Sequence, residues 1–168
     1  EAEENLTEML AKFNKLFLSW KHSRRYTPTH TVNLKDFEFP NIPDNNCIIA
    51  VKSGLGTNKT GAMLKMMFQS ERGAIIIGYR NNLLFQTISR GNEYSLGIYH
   101  IRDENARLML LAENDDFANH ALCLDSIKHV DGHFLDKDIY LDETCSVLLH
   151  GLSGGTLGKD QAKALAIL

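Results

Sequence analysis

The spacing of apolar residues changes character near residue 45. Before that point Leu6, Met9, Leu10, Phe13, Leu16, Phe17 and Trp20 recur at three- and four-residue intervals, which predicts an amphipathic helix over 4–20. Thr27-Pro28-Thr29 stops a helix there, because a proline pushes the residue before it out of the helical region. Residues 31–45 carry Pro40 and Pro43 and read as extended and irregular, ahead of the turn signal Asp44-Asn45-Asn46. Beyond it the apolar residues come in short runs that do not alternate, at 47–51, 74–79, 96–101, 121–125 and 138–141. Such runs suit strands buried on both faces, as in a parallel sheet. Helix-like stretches separate them at 60–69, 82–89 and about 103–113, with a final one after His150. The succession predicts an α/β fold, a three-layer sandwich with a mainly parallel sheet over 46–168, and an N-terminal helix and extended arm over 1–45.

Composition narrows the class without changing the architecture. The chain has 168 residues, 43% of them apolar and 23% charged, enough to bury the core of one ordinary soluble domain. No run of 18 apolar residues is present, so no membrane span is expected. The acidic start is not a signal peptide, and the missing initiator Met suggests a piece of a longer chain. A net charge of −3 argues against a broad basic face for nucleic acid. Lys21-His22-Ser23-Arg24-Arg25 is the one dense basic cluster and reads as a solvated helix end. Cys47, Cys123 and Cys145 lie far apart in or beside apolar runs, as reduced, buried thiols of a cytoplasmic protein would.

Candidate chemistry begins at Ser53-Gly54-Leu55-Gly56-Thr57-Asn58-Lys59-Thr60. A strict phosphate-binding loop has glycines at the positions held here by Ser53 and Asn58. The physical demand is looser: backbone N–H groups must turn inward at a helix N-terminus. The residue before the lysine needs a positive φ, and asparagine is among the best non-glycine residues for that. Gly54 and Gly56 supply flexibility, Lys59 would reach the outer phosphates of ATP, and Thr60 would place its hydroxyl on Mg²⁺. The alternative is a lysine-bearing loop without a ligand. A second half follows the run at 138–141, where Asp142 would hold Mg²⁺ through water and Glu143 would orient the attacking water. Adjacent acids at a helix start have a plainer reading in the helix dipole.

These segments resemble two motifs of the superfamily 2 helicases. Ser53 to Thr60 is similar to motif I, with Gly56, Thr57, Lys59 and Thr60 matching and Asn58 departing; Leu141-Asp142-Glu143-Thr144 is similar to motif II. Residues 74–87 look like a strand followed by motif Ia, and residues 121–130 and 142–157 resemble segments of replication origin-binding helicases and cyanobacterial plasmid replication proteins. The resemblance covers about 45–165. It implies a RecA-like P-loop NTPase domain that hydrolyses ATP with Mg²⁺ to drive DNA remodelling, on single-stranded DNA or an origin duplex. It also implies a second RecA-like domain beyond Leu168, without which hydrolysis should be slow. Arg80, Asn81 and Ser126 are then nucleic-acid contacts; their plainer readings are a turn for the first two and a helix cap for Ser126. The competing expectation is a degenerate P-loop module that docks DNA or protein without catalysis.

Other residues change the picture less. His129 and His133 are spaced for a helical metal pair, but Gly132 interrupts them and they read as loop histidines. His150, Phe85 and the methionines Met63, Met66 and Met67 read as packing residues.

Overall fold

The chain divides into two units, 1–36 and 37–168, and the fold described here is that of the second. The computed structural model describes residues 11, 48–51, 56–112, 118–129, 137–153, 155–161 and 164. The expected N-terminal helix, the extended arm, the basic cluster at 21–25, Cys47 and His133 lie outside the described residues, except for Ala11.

Four strands form one all-parallel open sheet: β1 (Ala74–Gly78), β2 (Ile98–His100), β3 (Asn119–Cys123) and β4 (Asp138–Leu141), in the order β2–β3–β1–β4. The helices are α1 (Lys59–Gln69), α2 (Asn81–Glu93), α3 (Glu104–Leu111) and α4 (Thr144–Ser153), with 3₁₀ turns at Leu124–His129 and Gly155–Asp160. Parallel neighbours need a crossover, and here helices or turns supply each one.

The centre of the sheet explains its composition. All five residues of β1 are buried. Ile75 and Ile77 join Leu122, Ile101, Leu110, Ile127 and Val147 in one core, and Ala74 and Ile76 join Leu64, Met67, Leu84, Ile98 and Ala121 in the other. Alternate residues of a strand point to opposite faces, so the two cores lie on opposite sides of the sheet. α1 and α2 cover one side, and α3, α4 and the 3₁₀ turns cover the other. Gly91 lets α2 approach β2, since a Cβ there would run into the Ile98 side chain. Asn92 then exchanges two hydrogen bonds with the Ile98 backbone, at 2.7 and 3.2 Å, and closes the outer edge of β2.

Several expectations are corrected. Residues 48–51 form no strand; Ile48, Ile49 and Val51 are 99%, 45% and 44% exposed. An apolar run becomes a strand only with a partner to hydrogen-bond, and none is bonded to this one among the described residues. A helix already starts at Thr144 and contains His150, and helical residues follow again at Gln161 and Ala164. Cys123 is buried as expected, but Cys145 is exposed on α4. Phe85 is 48% exposed and stacks on the His100 ring with centroids 4.8 Å apart, so it is no core residue.

Candidate functional site

The loop before α1 meets the conformational demand read from its sequence. Asn58 has φ 59° and ψ 35°, and its carbonyl accepts the first helical hydrogen bond, from Ala62 N–H at 3.0 Å. Gly56, two residues earlier, has φ 72°. The Asn58 side chain makes no capping bond. Its Oδ1 instead accepts from Arg90 Nη2 on α2, and a Cβ at Gly61 would run into the same carboxamide. Lys59 and Thr60 open α1, both partly buried. Ser53 and Gly54 lie outside the described residues.

At the C-terminal end of α1 Ser70 Oγ donates to Asp138 Oδ2 at 2.9 Å, which ties that end to the start of β4. Asp142 follows β4 at the carboxyl end of the sheet, with its N–H donating to Ile77 O at 3.0 Å.

Two hydrogen bonds tie these segments to α2. Thr87 Oγ1 donates to Asp142 Oδ2 at 3.2 Å, and Arg90 donates to Asn58. Thr87 and Arg90 are three apart on α2, neighbours on one helix face. One turn of α2 thus holds a residue of the lysine loop and the carboxylate after β4. Glu143 is exposed and has φ 55°, an uncommon backbone for a non-glycine residue. Its carbonyl accepts from Val147 N at 3.1 Å, so the chain reverses sharply from β4 into α4 at this residue.

A second set of polar groups lies at the ends of β2 and β3. His100 Nε2 meets Asn81 Oδ1 at 3.1 Å, Cys123 Sγ donates to the same oxygen at 3.2 Å, and His100 Nδ1 accepts from Arg102 N at 3.0 Å. These bonds fit a neutral imidazole with its proton on Nε2. Burial, and then the Arg102 charge, lower the His100 pKa. Burial, and then Asp125, push the Cys123 thiol up to about 11, so it remains protonated. On β4, burial and then Asp138 push the Tyr140 hydroxyl up to about 12.

The remaining sequence-derived residues fall around this edge. Asn81 turns its carboxamide inward onto His100 and Cys123. Arg80 precedes α2, is exposed, and rests over the Tyr79 ring at 4.8 Å. Ser126 is half-buried in the 3₁₀ turn after β3, rather than capping a helix. His129 is exposed at the end of that turn, and His150 is bonded to Asp125 at 2.8 Å. Met67 is buried, and Met63 packs against the same core. Thr87 and His100 were missed by sequence reasoning, and Arg90 could be given no role by it. A threonine and an arginine on an amphipathic helix carry no signal beyond helix surface, and a histidine ending a three-residue strand carries less.

Among the described residues no helix is long and apolar enough to cross a membrane. Comparison of the chain with protein-family models, with curated proteins and with solved structures found no match in any of the three.

Proposed function

We propose that residues 46–168 form a RecA-like P-loop NTPase domain, the ATPase part of a DNA replication helicase of superfamily 2 type. The observation that supports this best is the attachment of Asn58 and Asp142 to one turn of α2 through Arg90 and Thr87. In this reading the helix start bearing Lys59 and Thr60 and the strand end bearing Asp142 and Glu143 serve one nucleotide. In this reading the inward N–H groups of 53–60 cradle the phosphates of ATP, and Lys59 neutralises the outer ones. Thr60 and Asp142 hold Mg²⁺, and Glu143 orients the attacking water. Arg80, Asn81 and Ser126 lie near the same sheet end, where DNA would pass, and a second RecA-like domain would complete the nucleotide site. The test is a thermal shift of the chain with millimolar Mg-ATP. Wild-type protein is expected to be stabilised and Lys59→Ala protein not to respond. A wild-type melting curve indifferent to Mg-ATP overturns the reading.

One observation favours the second reading, a degenerate module that docks DNA or protein without hydrolysis. Residues 48–51 are exposed and outside the sheet, so the loop lacks the buried strand that would brace it. Here DNA binding would survive Lys59→Ala and ignore ATP.

A further inference from the structure

A cavity of about 390 Å³ opens at the β2–β3 end of the sheet, lined by Ile101, Arg102, Glu104, Arg107, Ser126 and His129. Of these residues the proposed function uses only Ser126, as a nucleic-acid contact, and the ATPase chemistry uses none. We propose that it is an oxyanion site that takes the phosphate group of a phosphodiester, with Glu104 as a displaceable placeholder on Arg107.

The charges in and around the cavity point this way. Two arginines and one carboxylate, Arg102, Arg107 and Glu104, line it. The other acids nearby are engaged elsewhere: Asp103 Oδ1 accepts from Ala106 N at 3.0 Å, and Asp125 Oδ1 meets His150 Nε2 at 2.8 Å. Asp103 thereby fills the helix start of α3 itself, which leaves the arginines as the donors offered to a ligand.

Arg107 carries the specific argument. Its Nε is buried and has no hydrogen-bond partner among the described residues. An unpaired buried donor is costly, and native structures rarely keep one without a use. Glu104 Oε1 lies 3.6 Å from Nη2, too long for a hydrogen bond, and its side chain is 77% exposed. The guanidinium fork is therefore attracted by Glu104 but not filled by it. A tetrahedral oxyanion that displaces Glu104 and turns the guanidinium toward the cavity would accept from Nε and Nη2 together, in the bidentate geometry that arginine favours.

Arg102 is held from behind, since its backbone N–H donates to His100 Nδ1. Ser126 and His129 complete the lining. The volume sits at the lower end of the range for organic ligands and exceeds what a lone ion needs, which favours a phosphate with its attached sugar.

The site is separate from the loop at 56–60. Asn58 is bonded to α2, and α1 and α2 cover one face of the sheet, whereas α3 and the turn after β3, which line the cavity, cover the other. The oxyanion site consequently stands whether or not ATP binds near Lys59.

The direct test follows the ¹⁵N–¹H signal of Arg107 Nε in the full chain carrying Lys59→Ala, which removes any anion held by the loop. Inorganic phosphate and a short oligothymidylate are titrated in separate arms. Saturable movement of the signal is expected, at lower concentration for the oligothymidylate. Movement with phosphate alone reassigns the ligand to a free anion and overturns the phosphodiester assignment. No movement in either arm overturns the site. Arg102→Gln with Arg107→Gln should weaken oligothymidylate binding by about tenfold or more. Glu104→Gln should tighten it severalfold, and this variant keeps the test decisive if the arginine variants fold poorly. Unchanged or weaker binding by folded Glu104→Gln protein refutes the placeholder role.

Discussion

The domain treats polar groups differently at two places. Along α2 they are paired from within: Thr87 holds Asp142 after β4 and Arg90 holds Asn58, while Asn58 and Glu143 turn the chain in the left-handed region. At the β2–β3 end Arg107 keeps a buried Nε with no partner among the described residues, beside a cavity. The first arrangement fixes the position of a carboxylate and a helix start before any ligand arrives, which is what catalysis by positioning requires. The second leaves donor capacity unspent, which is what recognition of an incoming anion requires. A paired polar group reports where the fold wants it; an unpaired one reports what the fold lacks.

The sharpest way to break this comparison is to ask whether the two ends fail separately. Lys59→Ala is expected to abolish Mg-ATP binding, a loss of at least about a hundredfold, or about 3 kcal/mol. Arg107→Gln should leave the ATP-dependent thermal shift unchanged. Calorimetric titration of both variants with Mg-ATP checks this. If Arg107→Gln also loses ATP, the edge is one site and its two ends do not act separately.

A smaller effect tests the pairing at the β1–β4 end. Thr87 is 5% exposed, and valine matches its shape without the hydroxyl. Thr87→Val should cost about 1 kcal/mol of stability, since half-buried Asp142 can recover part of its solvation. It should also weaken Mg-ATP more than Mg-free ATP, because the freed carboxylate would no longer be held in place. Equal losses with and without Mg²⁺ would mean that Asp142 holds no metal.

How far the sequence revealed this molecule depends on which residues carry each feature. The bounds of β4 could be read directly, because Ile139-Tyr140-Leu141 is an apolar run framed by Asp138 and Asp142. The left-handed turn at Asn58 could be anticipated from residue type alone. The run at 47–51 misled, because apolar content states a preference for burial and not the partner that would provide it. The same limit hid Thr87, Arg90 and Arg107: their roles come from groups 55, 32 and three residues away along the chain. No local spacing encodes the first two distances, and the third looks like an ordinary surface pair of a helix.

Asn58 offers the next prediction. Asn58→Ala keeps the positive φ but loses both the side chain suited to it and the bond to Arg90, and should cost about 1 kcal/mol in urea unfolding. Asn58→Gly restores the glycine of the strict loop and should be neutral within a few tenths of a kcal/mol. It also removes the carboxamide packed over Gly61, so ATP should bind tighter, by up to about tenfold. A glycine variant as unstable as the alanine one would show that the Arg90 bond, and not the backbone, dominates at this position.

The smallest expected effect is a pH dependence set by His100 at the other end. Its folded pKa is lowered from the ordinary value of 6.5, first by burial and then by the Arg102 charge. Below about pH 6.5 the unfolded chain takes up a proton that the folded chain refuses, so stability falls as pH drops through that window and is fully retained above it. Proton uptake in the fold would also break the bond from Arg102 N–H to Nδ1 and loosen the loop that carries Arg102 into the cavity. His100→Asn removes the titrating group, so its stability should fall less than that of the wild type between neutral and mildly acidic pH. The difference in slope between the two proteins isolates His100 from every other titrating residue. If the slopes coincide, His100 is not held neutral by its surroundings, and the β2–β3 end has no internal anchor for Arg102.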